Sequence, residues 1–164
     1  MYFKYALEEE GEIITDGKET LARLQVKTEK LVKYKHHVEF FSGIQYDLKS
    51  DALWSAKSFQ IFNERNELVG SIKPKENPKK VWLEMLDKSV LKNKYSFEVQ
   101  SGQWKKNLVI RNESGTIIAQ FMRKFIFSKM RNRLFIVEED PDNLIFEERL
   151  LIYAFAYVSR KILN

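Results

Sequence analysis

The chain has 164 residues, a length typical of one domain, and its 44% hydrophobic and 31% charged content excludes an intrinsically disordered protein. It contains no cysteine, which excludes disulfides, thiolate zinc sites and a cysteine nucleophile. The net charge of +5 is uneven, because residues 81–134 hold 11 basic and 4 acidic side chains whereas residues 1–20 hold 2 and 6. The basic middle would attract phosphates on anionic lipid or nucleic acid, unless its lysines serve only to keep strand edges soluble.

The first fifty residues give the weakest pattern. Residues 1–11 are polar and lack the apolar core of a secretory signal, so we expect a cytoplasmic protein. Ala22, Leu24 and Val26 alternate with polar neighbours, which favours a strand, although a helix from about Lys18 to Lys35 stays open. Val38–Ile44 is aromatic-rich, closes on a glycine and predicts another strand.

Two adjacent histidines, His36 and His37, are the only histidines in the chain. On a strand they point to opposite faces, and on a helix they are about 100° apart. Neither geometry lets them share a metal ion, so we expect no metal site.

A clearer pattern starts at Phe59. Phe59–Phe62 predicts a strand, Asn63–Glu67 a turn and Leu68–Ile72 the returning strand. Lys73–Lys80 contains two prolines and predicts a loop. Two further strands are expected at Val81–Leu86 and Tyr95–Gln100.

The same hairpin pattern recurs 49 residues later, at Leu108–Arg111 and Thr116–Phe121. Asn63 lines up with Asn112, and Asn66 lines up with Gly115, so both copies place a residue that tolerates positive φ at the same position. One strand–turn–strand unit is therefore expected twice in a sheet. A third hairpin is predicted from Phe121–Phe127 and Leu134–Glu138, with Ser128–Arg133 as its turn.

The last segment predicts a helix over residues 141–162. Asp140 is suited to cap it, with Pro141 at the first helical position. Leu150–Val158 leaves no polar face and is too short to cross a membrane, which needs about 20 residues. Such a helix must be surrounded by protein. We therefore expect a mainly β (α+β) protein, a closed antiparallel β-barrel enclosing a hydrophobic C-terminal α-helix, with residues 1–164 as a single domain.

Residues 107–164 resemble the end of the tubby C-terminal-like superfamily, in particular its LURP-one-related and bacterial members. The matching features are the Asn-Glu-Ser-Gly hairpin at Ile110–Phe121, the strand with Arg123 and Lys124, the strand Leu134–Val137, the acidic turn Glu138–Asp142 and the apolar helix. The resemblance implies a closed barrel threaded by that helix, as in the phospholipid scramblases. It also implies binding rather than catalysis, since tubby domains bind phosphoinositide head groups through basic surface residues. None of the family's lipid-contacting residues matches a position here one by one.

Basic and aromatic residues are the candidate site residues. Lysine pairs flank Trp82 and Trp104, and tryptophan favours membrane interfaces. The predicted third hairpin would ring an apolar tip with cations, as a membrane-docking loop requires, although an ordinary solvated tip has the same pattern. Candidate phosphate-binding residues are Lys105, Lys106, Arg123, Lys124, Lys129, Arg131 and Arg133, and candidate membrane contacts are Trp82, Trp104 and Met130.

Catalytic motifs are missing from the sequence, which has no nucleophile elbow, no P-loop and no dinucleotide-binding glycine pattern. We therefore expect no enzymatic activity and no cofactor. The expected function is a non-enzymatic binding module that docks through a basic surface to anionic phospholipid or another phosphate-bearing ligand, peripheral to the membrane. A cytosolic structural or protein-interaction domain without a small-ligand site stays open, as does a nucleic-acid binder.

Overall fold

A computed structural model of the protein describes residues 5–8, 11–15, 19–29, 33–50, 58–75, 77–101, 106–140 and 144–163. These residues form twelve strands and one C-terminal helix. The elements are β1 (Tyr5–Glu8), β2 (Glu12–Thr15), β3 (Thr20–Glu29), β4 (Lys33–Phe40), β5 (Gln45–Ser50), β6 (Phe59–Phe62), β7 (Leu68–Lys75), β8 (Asn77–Met85), β9 (Tyr95–Ser101), β10 (Lys106–Asn112), β11 (Ile117–Ile126), β12 (Arg131–Glu138) and α1 (Phe146–Leu163).

The strands form a closed antiparallel barrel in which each strand pairs with the next one along the chain. The barrel closes where β1 pairs with β12, with Tyr5 opposite Ile136 and Leu7 opposite Leu134. In the described part of the chain, closure pairs every strand of the barrel wall on both sides, which removes the usual route to strand-to-strand aggregation.

The helix α1 lies inside this barrel. Leu150 to Ala156 are all at most 6% exposed, so no face of the helix meets solvent over two turns. The helix contacts β3 and β9, which stand opposite each other in the ring of twelve strands, and also β8 and β10. An element buried on all sides between opposite walls occupies the interior. The predicted barrel enclosing a hydrophobic C-terminal helix is therefore confirmed.

Alternating side chains on the strands build the core around α1. On β5, Tyr46 and Leu48 are buried while their neighbours are less so, and Phe59 and Ile61 continue the pattern on β6. Tyr46 packs edge-on against Phe155 of the helix, with ring centroids 5.7 Å apart. The inward-facing side chains of the strands therefore bury the apolar surface of the helix and keep it from water. No helix in the described part of the chain is long and apolar enough to span a membrane.

The repeated hairpin is confirmed as two turns of one geometry. Asn66 and Gly115 have φ of 59° and 88°, as the alignment of the two copies predicts. The side-chain oxygen of Asn63 accepts hydrogen bonds from the Arg65 and Glu67 amides, and that of Asn112 accepts one from the Thr116 amide. Both hairpins also carry a register irregularity one residue before the turn. The asparagine thus sets the turn in each copy.

Two strand predictions hold in outline and need new boundaries. β3 confirms the strand at Ala22–Val26 and excludes the alternative helix. The strand predicted at Val38–Ile44 ends at Phe40, because the Gly43 amide donates to the Phe40 carbonyl and closes a turn. Phe41 and Ile44 consequently lie in the turn and are exposed.

The loop predicted at Lys73–Lys80 is wrong. β7 continues to Lys75 and β8 begins at Asn77, so the two prolines lie within strands. The register between β7 and β8 is irregular between Pro74 and Lys75. Such an irregularity accommodates a residue that has no amide hydrogen to give to the ladder.

The helix begins at Phe146, five residues later than the sequence predicts. Asp140 does not start a helix but is still bonded to the sheet: its amide donates to the Ile118 carbonyl of β11 at 3.3 Å, beside the Glu139 amide at 2.9 Å. The predicted first helical residue, Pro141, lies outside the described residues. The third hairpin also differs, since β12 starts at Arg131 and the turn is shorter than Ser128–Arg133.

Among the residues that the structure describes, the two ends of the barrel differ in the sign of their charge. Turns of an up-and-down barrel alternate between its ends, and α1 starts at the end where β12 stops, at Glu138. At this acidic end the described turns, strand ends and first helical turn hold the carboxylates Glu19, Glu64, Glu67, Asp87, Glu113, Glu138, Glu139, Asp140, Glu147 and Glu148 against the cations Arg65, Lys88, Lys92, Lys94 and Arg149. The described positions at the opposite, basic end carry the basic residues Lys33, Lys75, Lys106, Lys129, Arg131, Arg160 and Lys161 and the acidic residues Glu8, Glu12 and Glu29.

Candidate functional site

The hairpin of β11 and β12 projects from the basic end of the barrel. In the described residues, the pairing of β11 with β10 extends to Phe121, and that of β12 with β1 extends to Leu134. Beyond these points the described residues show β11 and β12 paired only with each other, from Met122–Phe135 to Ile126–Arg131. Five strand residues at about 3.3 Å each extend the hairpin by roughly 16 Å. We call residues 122–133 the basic arm.

The tip of the basic arm is apolar and exposed. A 3₁₀ turn at Phe127–Lys129 closes the hairpin, and Met130 follows it with a left-handed φ of 48°. Phe127 is 82% exposed and Met130 is 76% exposed, while Phe125 is 41% exposed and stacks edge-on against Phe127 at 5.1 Å. The tip therefore presents apolar surface to water that no described part of the chain covers.

The arm brings five of the seven candidate phosphate-binding residues together. Its sequence contains five cations and no carboxylate. Arg123 and Lys124 are exposed on β11, and Lys124 stands opposite Arg133 of β12. Lys129 lies in the 3₁₀ turn and Arg131 is the first residue of β12.

Burial lowers the pKa of two arginines, one in the basic arm and one at the end of α1. The Arg133 guanidinium is partly buried beside the Phe135 ring, 5.7 Å from its centroid, and this burial lowers the pKa of Arg133. At the end of α1, burial lowers the pKa of Arg160; the nearby Tyr157 raises it by a smaller amount, and the charge of Arg123 lowers it again. Arg133 and Arg160 both lie at the basic end of the barrel.

The other candidate residues are not part of the arm. Trp82 is half-buried on the outer wall, three strands from β11, and the Lys80 ammonium lies 5.1 Å from its ring centroid. It lines a shallow concavity of about 380 Å³ with Lys73 and Lys75. Trp104 and Lys105 lie outside the described residues, and Lys106 begins β10 at the basic end.

The two histidines point to opposite sides of β4, as expected. His36 is buried and packs edge-on against Phe59, whereas the Nδ1 atom of His37 lies 2.8 Å from Asp47. Burial raises the pKa of Asp47, but hydrogen bonds from His37 and Lys35 outweigh it and hold that pKa below its ordinary value. Among the described residues no group of three His, Asp or Glu side chains could hold a metal ion.

Glu138 has a role that the sequence pattern hides. It belongs to an acidic run, yet its carboxylate accepts hydrogen bonds from Arg149 at 2.8 Å and from the Tyr153 hydroxyl at 3.0 Å. Burial and the Glu138 charge together raise the pKa of Tyr153. Because Arg149 and Tyr153 are one helical turn apart, this cluster fixes the start of α1 to the end of β12.

The overall fold is shared with a known structure. The X-ray structure of a protein from Arabidopsis thaliana matches with a TM-score of 0.54, at 15% sequence identity, covering 98% of this chain and 90% of that chain. No family model and no curated protein matches the sequence. At this identity the similarity establishes the fold of the barrel and nothing about its ligand.

Proposed function

We propose that this protein is a non-enzymatic binding module that docks to anionic phospholipid surfaces through the basic arm. The observation that carries the proposal is the combination of an exposed apolar tip, Phe127 and Met130, with the arm's cations and no carboxylate. Anionic bilayers offer both an apolar phase for the tip and phosphates for the cations. A dissolved phosphate compound would leave the tip in water.

The apolar tip and the cations each contribute an appreciable free energy of binding. Full transfer of a Phe or Met side chain from water to an apolar phase is worth about 1.5–3 kcal/mol, and most of that gain is unrealised at 82% and 76% exposure. Each basic residue near an anionic surface adds about 1 kcal/mol. Both contributions act at one projecting element, so a small contact area can give measurable binding.

The charge distribution of the barrel orients this contact. The basic end would face the bilayer, and the acidic end would be repelled by it. Anionic lipids are concentrated in the cytoplasmic leaflet, which fits a peripheral protein at that face. The tubby-like resemblance supports the same proposal, since the closed barrel around a C-terminal helix is the architecture that the resemblance implies.

Vesicle flotation tests the proposal. The protein should float with phosphatidylcholine vesicles that contain phosphatidylserine and stay behind with phosphatidylcholine alone, and the floated fraction should fall as salt rises. The double variant Phe127→Ser/Met130→Ser should lose most flotation, because it removes the apolar tip and keeps the arm's charge. Lys124→Glu with Arg123→Glu should abolish it.

A matched control comes from the acidic end. Ile145 is 60% exposed, so Ile145→Ser removes a comparable apolar surface without touching the arm, and it should float like the wild type. Equal flotation of all three variants would overturn the proposal. So would salt-sensitive binding to single-stranded RNA without binding to anionic vesicles, which would favour a nucleic-acid binder.

A further inference from the structure

An apolar groove opens at the acidic end of the barrel, far from the basic arm. Phe41, Ile44 and Ile145 are exposed at its mouth, by 57%, 50% and 60%, and buried Tyr46 and Leu151 lie beneath them. Its cavity is about 200 Å³. A cavity of roughly 150 Å³ holds one benzene ring, so this groove has room for one aromatic or branched aliphatic side chain.

The charges of this groove have one sign. Glu147 and Glu148, in the first turn of α1, line it, and its described lining contains no cation. Asp87 and Ser89 stand on the connection between β8 and β9 that borders it, and Ser89 donates two hydrogen bonds to the Asp87 carboxylate, at 2.6 and 2.9 Å. These bonds lower the pKa of Asp87 below its ordinary value.

The buried hydroxyl of Tyr46, inside the groove, lies close to the same negative charges. Burial raises the pKa of Tyr46, and the charges of Asp87 and Glu64 raise it further. Two cations of the same connection, Lys88 and Lys94, each lie 3.6 Å from a carboxylate oxygen of Glu84. An apolar floor with a negative rim therefore faces solvent at this end.

We propose that this groove binds a segment of a partner protein in which one large apolar side chain is flanked by lysine or arginine. The apolar side chain fills the cavity between Ile44 and Ile145, and the flanking cations pair with Glu147 and Glu148. This chemistry excludes the ligands of the basic arm, because phosphates of lipid or nucleic acid would be repelled by the same carboxylates. The inference is independent of lipid docking, since no groove residue belongs to the arm.

Labelled peptides test the inference directly. We suggest fluorescein-labelled heptapeptides with Leu, Phe or Ser at the centre and with Lys, Ser or Glu on both sides, titrated against the full-length protein by fluorescence anisotropy. Peptides with a central Leu or Phe and Lys flanks should bind at least about tenfold more tightly than those with Glu flanks. Replacing the central residue by Ser should weaken the Lys-flanked peptides by a similar factor.

Protein variants separate the two contributions. Ile44→Ser/Ile145→Ser should weaken every peptide with an apolar centre while the Lys preference stays. Glu147→Gln/Glu148→Gln should remove that preference, and Glu147→Lys/Glu148→Lys should invert it. Phe127→Ser is the matched control at the other end and should bind peptides like the wild type.

Three results would overturn the inference. One is equal affinity for Lys-flanked and Glu-flanked peptides, another is equal affinity for apolar and Ser centres, and the third is no binding by any peptide. Because vesicle flotation uses the other end of the barrel, its failure would leave this result interpretable, and the reverse holds as well.

Discussion

A single methionine in a strained backbone conformation closes the basic arm. Left-handed φ costs an ordinary residue about 1–2 kcal/mol, and asparagine and glycine are the residues that usually occupy it. The equivalent position in the two repeated hairpins is Asn66 and Gly115, whereas the arm has Met130 with φ of 48°. Met130 therefore makes the arm less stable than asparagine or glycine would, although its side chain is 76% exposed. This strain at an exposed apolar residue supports the docking role that we propose for the Met130 side chain.

Met130→Gly should stabilise the arm and weaken its docking. Glycine relieves the left-handed strain but adds entropy to the unfolded chain. The net stabilisation of the folded arm is about 0.5–1 kcal/mol. Amide hydrogen exchange of Phe125–Ile126 should slow by about threefold, because exchange reports local opening of the arm. The same variant should float less with anionic vesicles.

Gly115→Ala is the control for this strain. Its φ is 88°, and a Cβ atom there would meet no atom within 4 Å, so only the backbone conformation is affected. It should lower the free energy of unfolding by about 1 kcal/mol and leave flotation unchanged. Faster exchange in Met130→Gly, or flotation equal to that of the wild type, would contradict the role assigned to Met130.

At the scale of the elements, hydrophobic periodicity predicts the strands that have one buried face. It fails where contacts between distant residues decide the bounds or the pairing of an element. Phe59–Phe62 is predicted at its observed bounds, because alternation is a local signal. Asp140 and Pro141 form a good capping pattern, yet the Asp140 amide is taken by Ile118, a partner 22 residues away. β1 and β2 are too short for their alternation to stand out, and the pairing of β1 with β12 is invisible locally.

The candidate sites show the same division. The basic arm is predictable, because its cations and aromatic residues are contiguous in sequence between Arg123 and Arg133. The apolar groove is not, because Phe41 and Ile44 come from one turn and Ile145 and Glu147 from the other end of the chain. Only closure of the barrel brings these segments together.

The side chains of α1 form the centre of the core, so removing one of them should destabilise the protein. Phe155 is fully buried in α1, and Phe155→Ala should lower the free energy of unfolding by about 3–5 kcal/mol. Phe127→Ala makes the same chemical change at a residue that is 82% exposed, and it should alter the free energy by less than about 0.5 kcal/mol. Denaturant titration of both variants checks the contrast. Similar values would mean that α1 is not surrounded by the barrel.

At the scale of the whole molecule, the barrel separates two surfaces of opposite chemistry. In an up-and-down barrel every second turn lies at the same end. Acidic and basic residues on alternate turns of the chain therefore collect at opposite ends. The helix adds to it, with Glu147 and Glu148 at its start and Arg160 and Lys161 at its finish. The two proposals use these ends separately, lipid docking at the basic end and peptide binding at the acidic end.

The absence of cysteine allows this orientation to be measured. Ser128→Cys and Ser114→Cys each place one thiol, at exposed residues of the basic arm and of the acidic end respectively. Labelled with an environment-sensitive dye, Cys at position 128 should shift to shorter wavelength and brighten with anionic vesicles, because the tip enters the apolar phase. The label at position 114 should not change, since it would lie on the far side of a barrel oriented by its own charge. Equal responses from both labels would show that the barrel binds without a preferred end, and the division of labour between its ends would then be wrong.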